Sequence, residues 1–492
     1  MKPPSPKKET SKFDSTFDDV LLGLCLAAAL LIGLKFVNYA YDDAYITYRY
    51  AQNLSLGHGF VYNLGQDFLG TTTPLYSLIL AASSLLLPIP IASGILSLCS
   101  LLGSILLIEV LGRQSKIRFA GSLASLFLFT EPQIYQIFGG ETLLVYFLLV
   151  PAGLTLHQGG YRGLAAITFG LAILGRMDAV IFVALVYGVD TLRRRQLPIK
   201  EGLLIAVLLL PWFLYSMTVF GQLFPATMAT KMAMGASGAW KLFGPGSQIY
   251  LYELNPYQGL WAPAFVLLLL LGVWRSLFKE RVWLFFLGNS LLFAAIYQWI
   301  LASAFSHWYL APLYFSHALL LGAGIRQIWT LFQNPFPDAR RRIRINGLPT
   351  LVRVVFIALI ITVVTQGFRG TRTFDTQPPR RELYTEVGRW LNNHTRSDES
   401  VTYYEIGYLG WFSDRTIIDP VGLVTPGGLE SIRQGRLHWV VDRYSPDYFI
   451  HNSRNGRDPI LSTSAFRSRY KPVKRFQVAD YPGELEIFQR LR

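Results

Sequence analysis

An α-helical protein that crosses a membrane many times and carries a soluble α/β domain at its C-terminal end is the fold class the sequence predicts. Three observations predict it. Hydrophobic residues make up 52% of the 492 and charged residues only 15%. Apolar runs far longer than a soluble core helix needs recur up to residue 367. From residue 368 onward the runs shorten and charge rises. A formal net charge of +14 could signal nucleic-acid binding. The basic runs, however, lie between hydrophobic segments, where they mark cytoplasmic loops, so membrane lipid is expected as a partner and nucleic acid is not. Cys25 and Cys99 both fall inside apolar stretches, which places neither for an external disulfide or a thiolate metal site. The sequence has no P-loop, no HExxH and no strand-linked GxGxxG.

Lys2, Lys7, Lys8 and Lys12 precede an apolar run from Val20 that is long enough to span, and it is read as an uncleaved first helix behind a cytoplasmic tail over 1–19. Eleven spans are placed at about 20–40, 91–112, 117–138, 141–157, 162–175, 178–192, 200–219, 260–275, 282–303, 308–325 and 350–367. The stretch 74–87 is too short to cross, and charge parity agrees. Left uncrossed, it puts about 20 basic residues on inner segments, including those at 326–344, against four on outer loops (Arg49, Arg176, Lys231, Lys241). It is therefore read as an interfacial helix with Thr73 as cap and Pro74 in its first turn. The transmembrane domain is thus 20–367, with a first outer loop over 41–90. An inside N-terminus and eleven crossings leave 368–492 outside. There E382-L-Y-T-E-V-G-R-W-L-N-N reads as helix, V401-T-Y-Y-E and T416-I-I-D as strands, and Gly427-Gly428 and Asn455-Gly456 as turns.

The adjacent carboxylates Asp42 and Asp43 stand where the first span ends. They could cap a surface helix over 43–55, since Asp is favoured at and just inside a helix N-terminus. They could also do chemistry, because Tyr45, Tyr48, Arg49 and Gln52 recur on the same helix and gather polar groups near one face. The segment Y41-D-D-A-Y-I-T-Y-R-Y-A-Q-N-L, with G57-H-G-F-V-Y-N-L-G and T71-T-T-P-L-Y, resembles the first extracytoplasmic loop of GT-C fold glycosyltransferases. Outer-end segments at Gly139-Gly140-Glu141-Thr142, L174-G-R-M-D-A, G221-Q-L-F-P-A-T-M-A-T-K and S306-H-W-Y-L-A-P resemble those of the bacterial group that includes mycobacterial arabinofuranosyltransferases and mannosyltransferase-like proteins. Y384-T-E-V-G-R-W-L and Y404-E-I-G-Y-L-G-W-F-S-D-R-T-I-I-D-P-V-G-L-V-T-P resemble the external domain found in part of that group.

The resemblance implies a multi-pass enzyme of the bacterial plasma (inner) membrane that moves a sugar from a polyprenyl-phosphate donor, with inversion, to a glycan, lipid or protein acceptor of the cell envelope. Such a donor already carries a good leaving group, so one base suffices, where a glycoside hydrolase usually needs two carboxylates across the bond. Asp42 is the expected base and Asp43 its neighbour. The second carboxylate raises the basicity of the pair, orients the acceptor, or shares a divalent cation, magnesium or manganese, the one candidate cofactor. For the phosphate, Lys231 ranks first, then Arg176, then His307, although each is also placed as a membrane-boundary anchor or aromatic-belt residue. Arg49, Tyr45, Asp178 and Tyr309 are further substrate-binding candidates, and Glu141 is either a first-turn acid or a sugar ligand. Glu405, Ser413, Asp414 and Asp419 read as turn and packing residues. The competing class, a transporter or flippase for a polar or lipid-linked solute, would place ionisable groups near the membrane midplane and often repeat one half of the chain in the other; neither is visible.

Overall fold

A computed structural model describes residues 9–238, 240–254, 262–333, 348–436, 438–456 and 458–491. Helix falls on all eleven predicted spans, within those bounds. Among the described residues, four helical stretches, Ile89–Gln114, Ile199–Phe220, Arg281–Ile300 and His307–Leu331, are long and apolar enough to cross a membrane by length and composition. Ile199–Phe220 shows why such helices need lipid: Leu203, Val207, Leu210, Leu214 and Met217 are more than half exposed along it. The predicted span 117–138 is broken instead into Ala120–Leu128 and Pro132–Gln136. Pro132 has no N–H to continue the first helix and is pre-set to start the second. The expected basic cluster at 340–344 lies outside the described residues, as does most of the predicted tail up to Lys8.

The stretch after the first loop forms only Pro74–Ser83, ten residues and so about 15 Å of helix, half of what a bilayer core requires. Pro74 sits in its first turn as expected, while Thr73 occupies the cap position without a side-chain capping bond. The last long helix, Leu348–Thr373, runs past the expected domain boundary at 368.

The C-terminal domain opens with helix Pro379–His394 and has a five-stranded sheet in the order β2-β1-β3-β5-β4. β1 (Ser400–Thr402) lies parallel to β2 (Thr416–Ile418) and to β3 (Tyr448–Asn452), whereas β5 (Leu485–Arg490) is antiparallel to both β3 and β4 (Tyr470–Phe476). The strands at 401 and 416 stand where the sequence predicts them. Gly427 lies in the predicted turn and, with φ of 95°, also caps helix Gly428–Arg433.

Two large cores divide the molecule. One fills the helical bundle. The other is shared: Tyr41, Tyr45, Tyr48 and Tyr62 of the first loop pack in one cluster with Leu383, Val387, Ile406, Tyr408 and Ile417 of the C-terminal domain. The first outer loop and the last domain therefore form one body, and the site lies where that body meets the bundle.

Candidate active site

The first-loop helix runs Asp42–Ser55, so Asp42 is its first residue and Tyr41 its cap, with no side-chain capping bond. Neighbouring helix positions point about 100° apart, and here that separates the two carboxylates. Asp42 is 9% exposed and faces the C-terminal domain. Its carboxylate accepts the backbone N–H groups of Tyr408 at 2.8 Å and Gly407 at 3.2 Å, and burial lifts its pKa to about 7. A Cβ at Gly407 would overlap the Asp42 backbone carbonyl, so the close approach needs glycine. Asp43 has a side chain 38% exposed and opens on a cavity.

Arg49 and Tyr45 turn away from that cavity as well. Arg49 donates to the carbonyls of Tyr62 (2.8 Å), Gly410 (2.5 Å) and Arg415 (2.7 Å), and its guanidinium lies 4.6 Å from the Tyr62 ring. Tyr45 is 2% exposed among Tyr48, Tyr408 and Trp411. Neither of these two expected substrate-binding residues lines the cavity; both side chains are engaged in holding the domain.

The cavity, of about 430 Å³, gathers Asp43, Glu141, Arg176, Asp178, Lys231 and Tyr309 from five separate segments. Lys231, on helix Ala226–Ala236, donates to Ser306 Oγ at 2.9 Å, lies 4.9 Å from the Trp308 ring and stands 4.0 Å from Asp43. Its backbone is pinned too, the carbonyl accepting Ala304 N–H at 3.0 Å. Arg176 is fully engaged: Nη1 meets Glu141 at 2.6 Å, while Nε and Nη2 meet the two oxygens of Asp178 at 3.0 and 2.6 Å. Tyr146 and Tyr297 each donate to Asp178 at 2.8 Å. With two carboxylates around it, Arg176 is a neutralised staple in the cavity wall. Lys231, by contrast, faces the cavity against the single carboxylate of Asp43.

His307 does not line the cavity; its Nε2 lies 3.3 Å from the Gln136 carbonyl and its ring packs edge-on against Tyr41. Sequence reasoning missed Thr47, Thr71, Thr72 and Thr73, whose hydroxyl-bearing side chains line the side nearest Asp43, and Trp308, which stacks on Tyr41. The threonines were visible as the T71-T-T-P run but carry no chemical signature of their own. An apolar flank of Met177, Ile181, Phe224, Met228 and Ile296 completes the cavity, with Phe224 and Met228 also exposed outward. Among the described residues no group of three or more His, Cys, Asp or Glu side chains is arranged to hold a metal ion. Both Asp42 oxygens take N–H donors and Asp43 faces elsewhere, so the pair does not fit a shared cation, and no step is derived through one.

The overall arrangement of helices with the small α/β domain is that of the GT-C fold. The chain superposes on ArnT from Cupriavidus metallidurans, solved bound to undecaprenyl phosphate, with a TM-score of 0.59 at 12% identity, over 94% of this chain and 97% of that one. It also superposes on the archaeal oligosaccharyltransferase AglB from Archaeoglobus fulgidus, in complex with an inhibitory peptide and a dolichol-phosphate, with a TM-score of 0.55 at 12% identity, over 96% and 74%. The arabinofuranosyltransferase AftD from Mycobacteria aligns at a TM-score of 0.44 and 14% identity over 95% and 41%, too loosely to carry an argument. At these identities the likeness is one of fold. Residues 372–488 match a family described as "Domain of unknown function (DUF8728)". No curated protein matches the chain in sequence.

Proposed function

We propose that the protein is an inverting glycosyltransferase that takes a sugar from a polyprenyl-phosphate donor, at the extracytoplasmic face of a bacterial plasma membrane, and passes it to a hydroxyl of an envelope glycan, lipid or protein. The observation that carries this reading is the opposition of Asp43 and Lys231, 4.0 Å apart in one cavity with a polar and an apolar flank. The GT-C fold supports it, since ArnT and AglB hold undecaprenyl phosphate and a dolichol-phosphate.

In this reading the base is Asp43, in place of the sequence-based choice of Asp42, whose oxygens are occupied. The acceptor oxygen attacks the anomeric carbon as Asp43 removes its proton, and the bond from that carbon to the phosphate oxygen breaks in the same displacement. The electron pair leaves with the phosphate, and Lys231 offsets the charge that grows there. A single displacement inverts the anomeric centre. Glu141 and Asp178, held by Arg176, border the space left for the sugar ring. The apolar flank suits the first isoprene units of the carrier.

Purified protein given an extract of polyprenyl-phosphate sugars should release free polyprenyl phosphate only with acceptor present, and product of inverted configuration. Retention of configuration, or movement of the intact donor across a vesicle bilayer without transfer, would replace this reading.

A further inference from the structure

The two helices that carry Asp43 and Lys231 are both short, 14 and 11 residues, and neither is a span. What they share is a common partner in the C-terminal domain. We propose that residues 406–433 of that domain clasp both helices and fix the distance between Asp43 and Lys231, with Asp42 as the principal positioning residue. This inference rests on the roles given above to Asp43 and Lys231.

On one side the clasp grips the first loop through polar bonds spread over its length. Asp42 accepts from Gly407 and Tyr408, and Arg49 donates to Gly410 and Arg415. Tyr62 Oη donates to the Ile406 carbonyl at 2.7 Å. Asn63 pairs with both backbone groups of Ile417, donating at 2.8 Å and accepting at 2.9 Å, as a neighbouring strand would. On the other side the same segment packs on the Lys231 helix: Ala233, Met234 and Ala304 form one apolar cluster with Val421 and Ile432. Thr230 Oγ1 lies 3.5 Å from the Gly422 carbonyl.

The piece between the two grips is rigid. Asp419, fully buried, accepts the N–H groups of Val421 (2.8 Å), Leu423 (2.5 Å) and Val424 (3.3 Å), and its own N–H is bound to Thr425 Oγ1 at 2.8 Å. The turn so formed presses Leu423 onto Gly70, where a Cβ would overlap the Leu423 carbonyl. Gly70 in turn accepts from Thr227 of the Lys231 helix. First loop, domain and Lys231 helix thus meet in a three-way junction at the edge of the cavity. Loosening either grip frees one of two opposed groups whose chemistry tolerates little misplacement; an error of about 1 Å can cost about 10²-fold in rate.

The test places spin labels at Ser55 and Ala236, exposed positions at the ends of the two helices, in full-length protein with Cys25 and Cys99 replaced by Ser. The wild-type background should give one narrow distance distribution. Asp42→Ala, which removes both acceptors, and Ile432→Ala, which loosens the other side, should each broaden it. With a polyprenyl-phosphate-sugar extract as donor, kcat should fall about 10²-fold for Asp42→Ala while the donor KM changes far less. Asp42→Asn retains one acceptor oxygen and should recover part of both effects. Unbroadened distances in the two alanine variants, or wild-type kcat beside a broadened distribution, overturn the proposal. Asp43→Asn separates the two inferences: it should lower transfer by about 10² to 10⁴ without broadening. Normal turnover in that variant removes the assignment of the base, while the distances still decide the clasp.

Discussion

Replacing Asp42 and Asp43 each by its amide should separate their roles. Asp43→Asn keeps shape and removes the proton acceptor, so single-turnover transfer should fall by about 10² to 10⁴ with donor binding intact. Asp42→Asn should be milder, because Asn can still accept one of the two N–H groups that Asp42 holds. Equal loss in both, or a milder Asp43 variant, returns the base to Asp42. Lys231→Ala should weaken donor affinity by about 1.5 to 3 kcal/mol, the value of one charge-assisted contact, and leave acceptor affinity unchanged. Normal donor dependence would make Lys231 an interfacial anchor. The sequence singled out the acidic pair and Lys231, and Asp43 and Lys231 line one cavity 4.0 Å apart. Which carboxylate faces the cavity was not legible there, since it depends on Gly407 and Tyr408, more than 360 positions away. Helical spacing put Tyr45 and Arg49 on a common helix and could not say what that helix packs against.

Between the elements, the contact of the first-loop helix with helix Gly407–Ser413 is the one most exposed to a single change. Gly407→Ala should undock it, because the new methyl meets backbone and not a side chain that can move aside. Limited proteolysis should then cut near 406–425 in the variant and spare the parent. The same contact should respond to pH. Burial holds both Asp42 and Asp419 at about 7 against an ordinary 3.8, so the docked state binds more protons than the undocked one between those values. Stability of docking is therefore greatest at the acidic end and is lost as pH rises from about 4 through about 7. Amide exchange across 406–425 should be slower at pH 5.5 than at pH 8 after correction for intrinsic rates; the reverse order would place those carboxyls in contact with water. Element positions followed from the sequence wherever length and periodicity were decisive, as for 89–114 and 379–394. They did not at 117–138, where an apolar composition masked a break at Pro132.

At the scale of the molecule, the expected orientation can be checked with single cysteines at Ser397 and Ser115, both exposed, in a background without Cys99. In intact cells a membrane-impermeant thiol reagent should label Ser397→Cys and reach Ser115→Cys only after permeabilisation. Labelling of Ser115→Cys but not of Ser397→Cys from outside would mean that 74–87 crosses after all, and would invert every helix behind it. The general plan, a helical bundle beneath a small α/β domain, was readable from the change in hydrophobic run length near 368. The union of that domain with the first outer loop was not, because it is made by tyrosines, an arginine and backbone groups that look like surface and turn chemistry in either segment alone.

The distance along the chain between Asp42 and its two N–H donors also bears on biosynthesis. The ribosome makes the acidic pair near the start and Gly407 near the end, so the growing chain enters the membrane with its acidic loop unsupported. On the proposed function, competence to transfer sugar then arrives only when the last quarter has folded onto the first loop. A premature stop anywhere after residue 373 should yield a protein that inserts and persists but is inert. Supplying residues 374–492 as a separate exported polypeptide is the complementation that would test it.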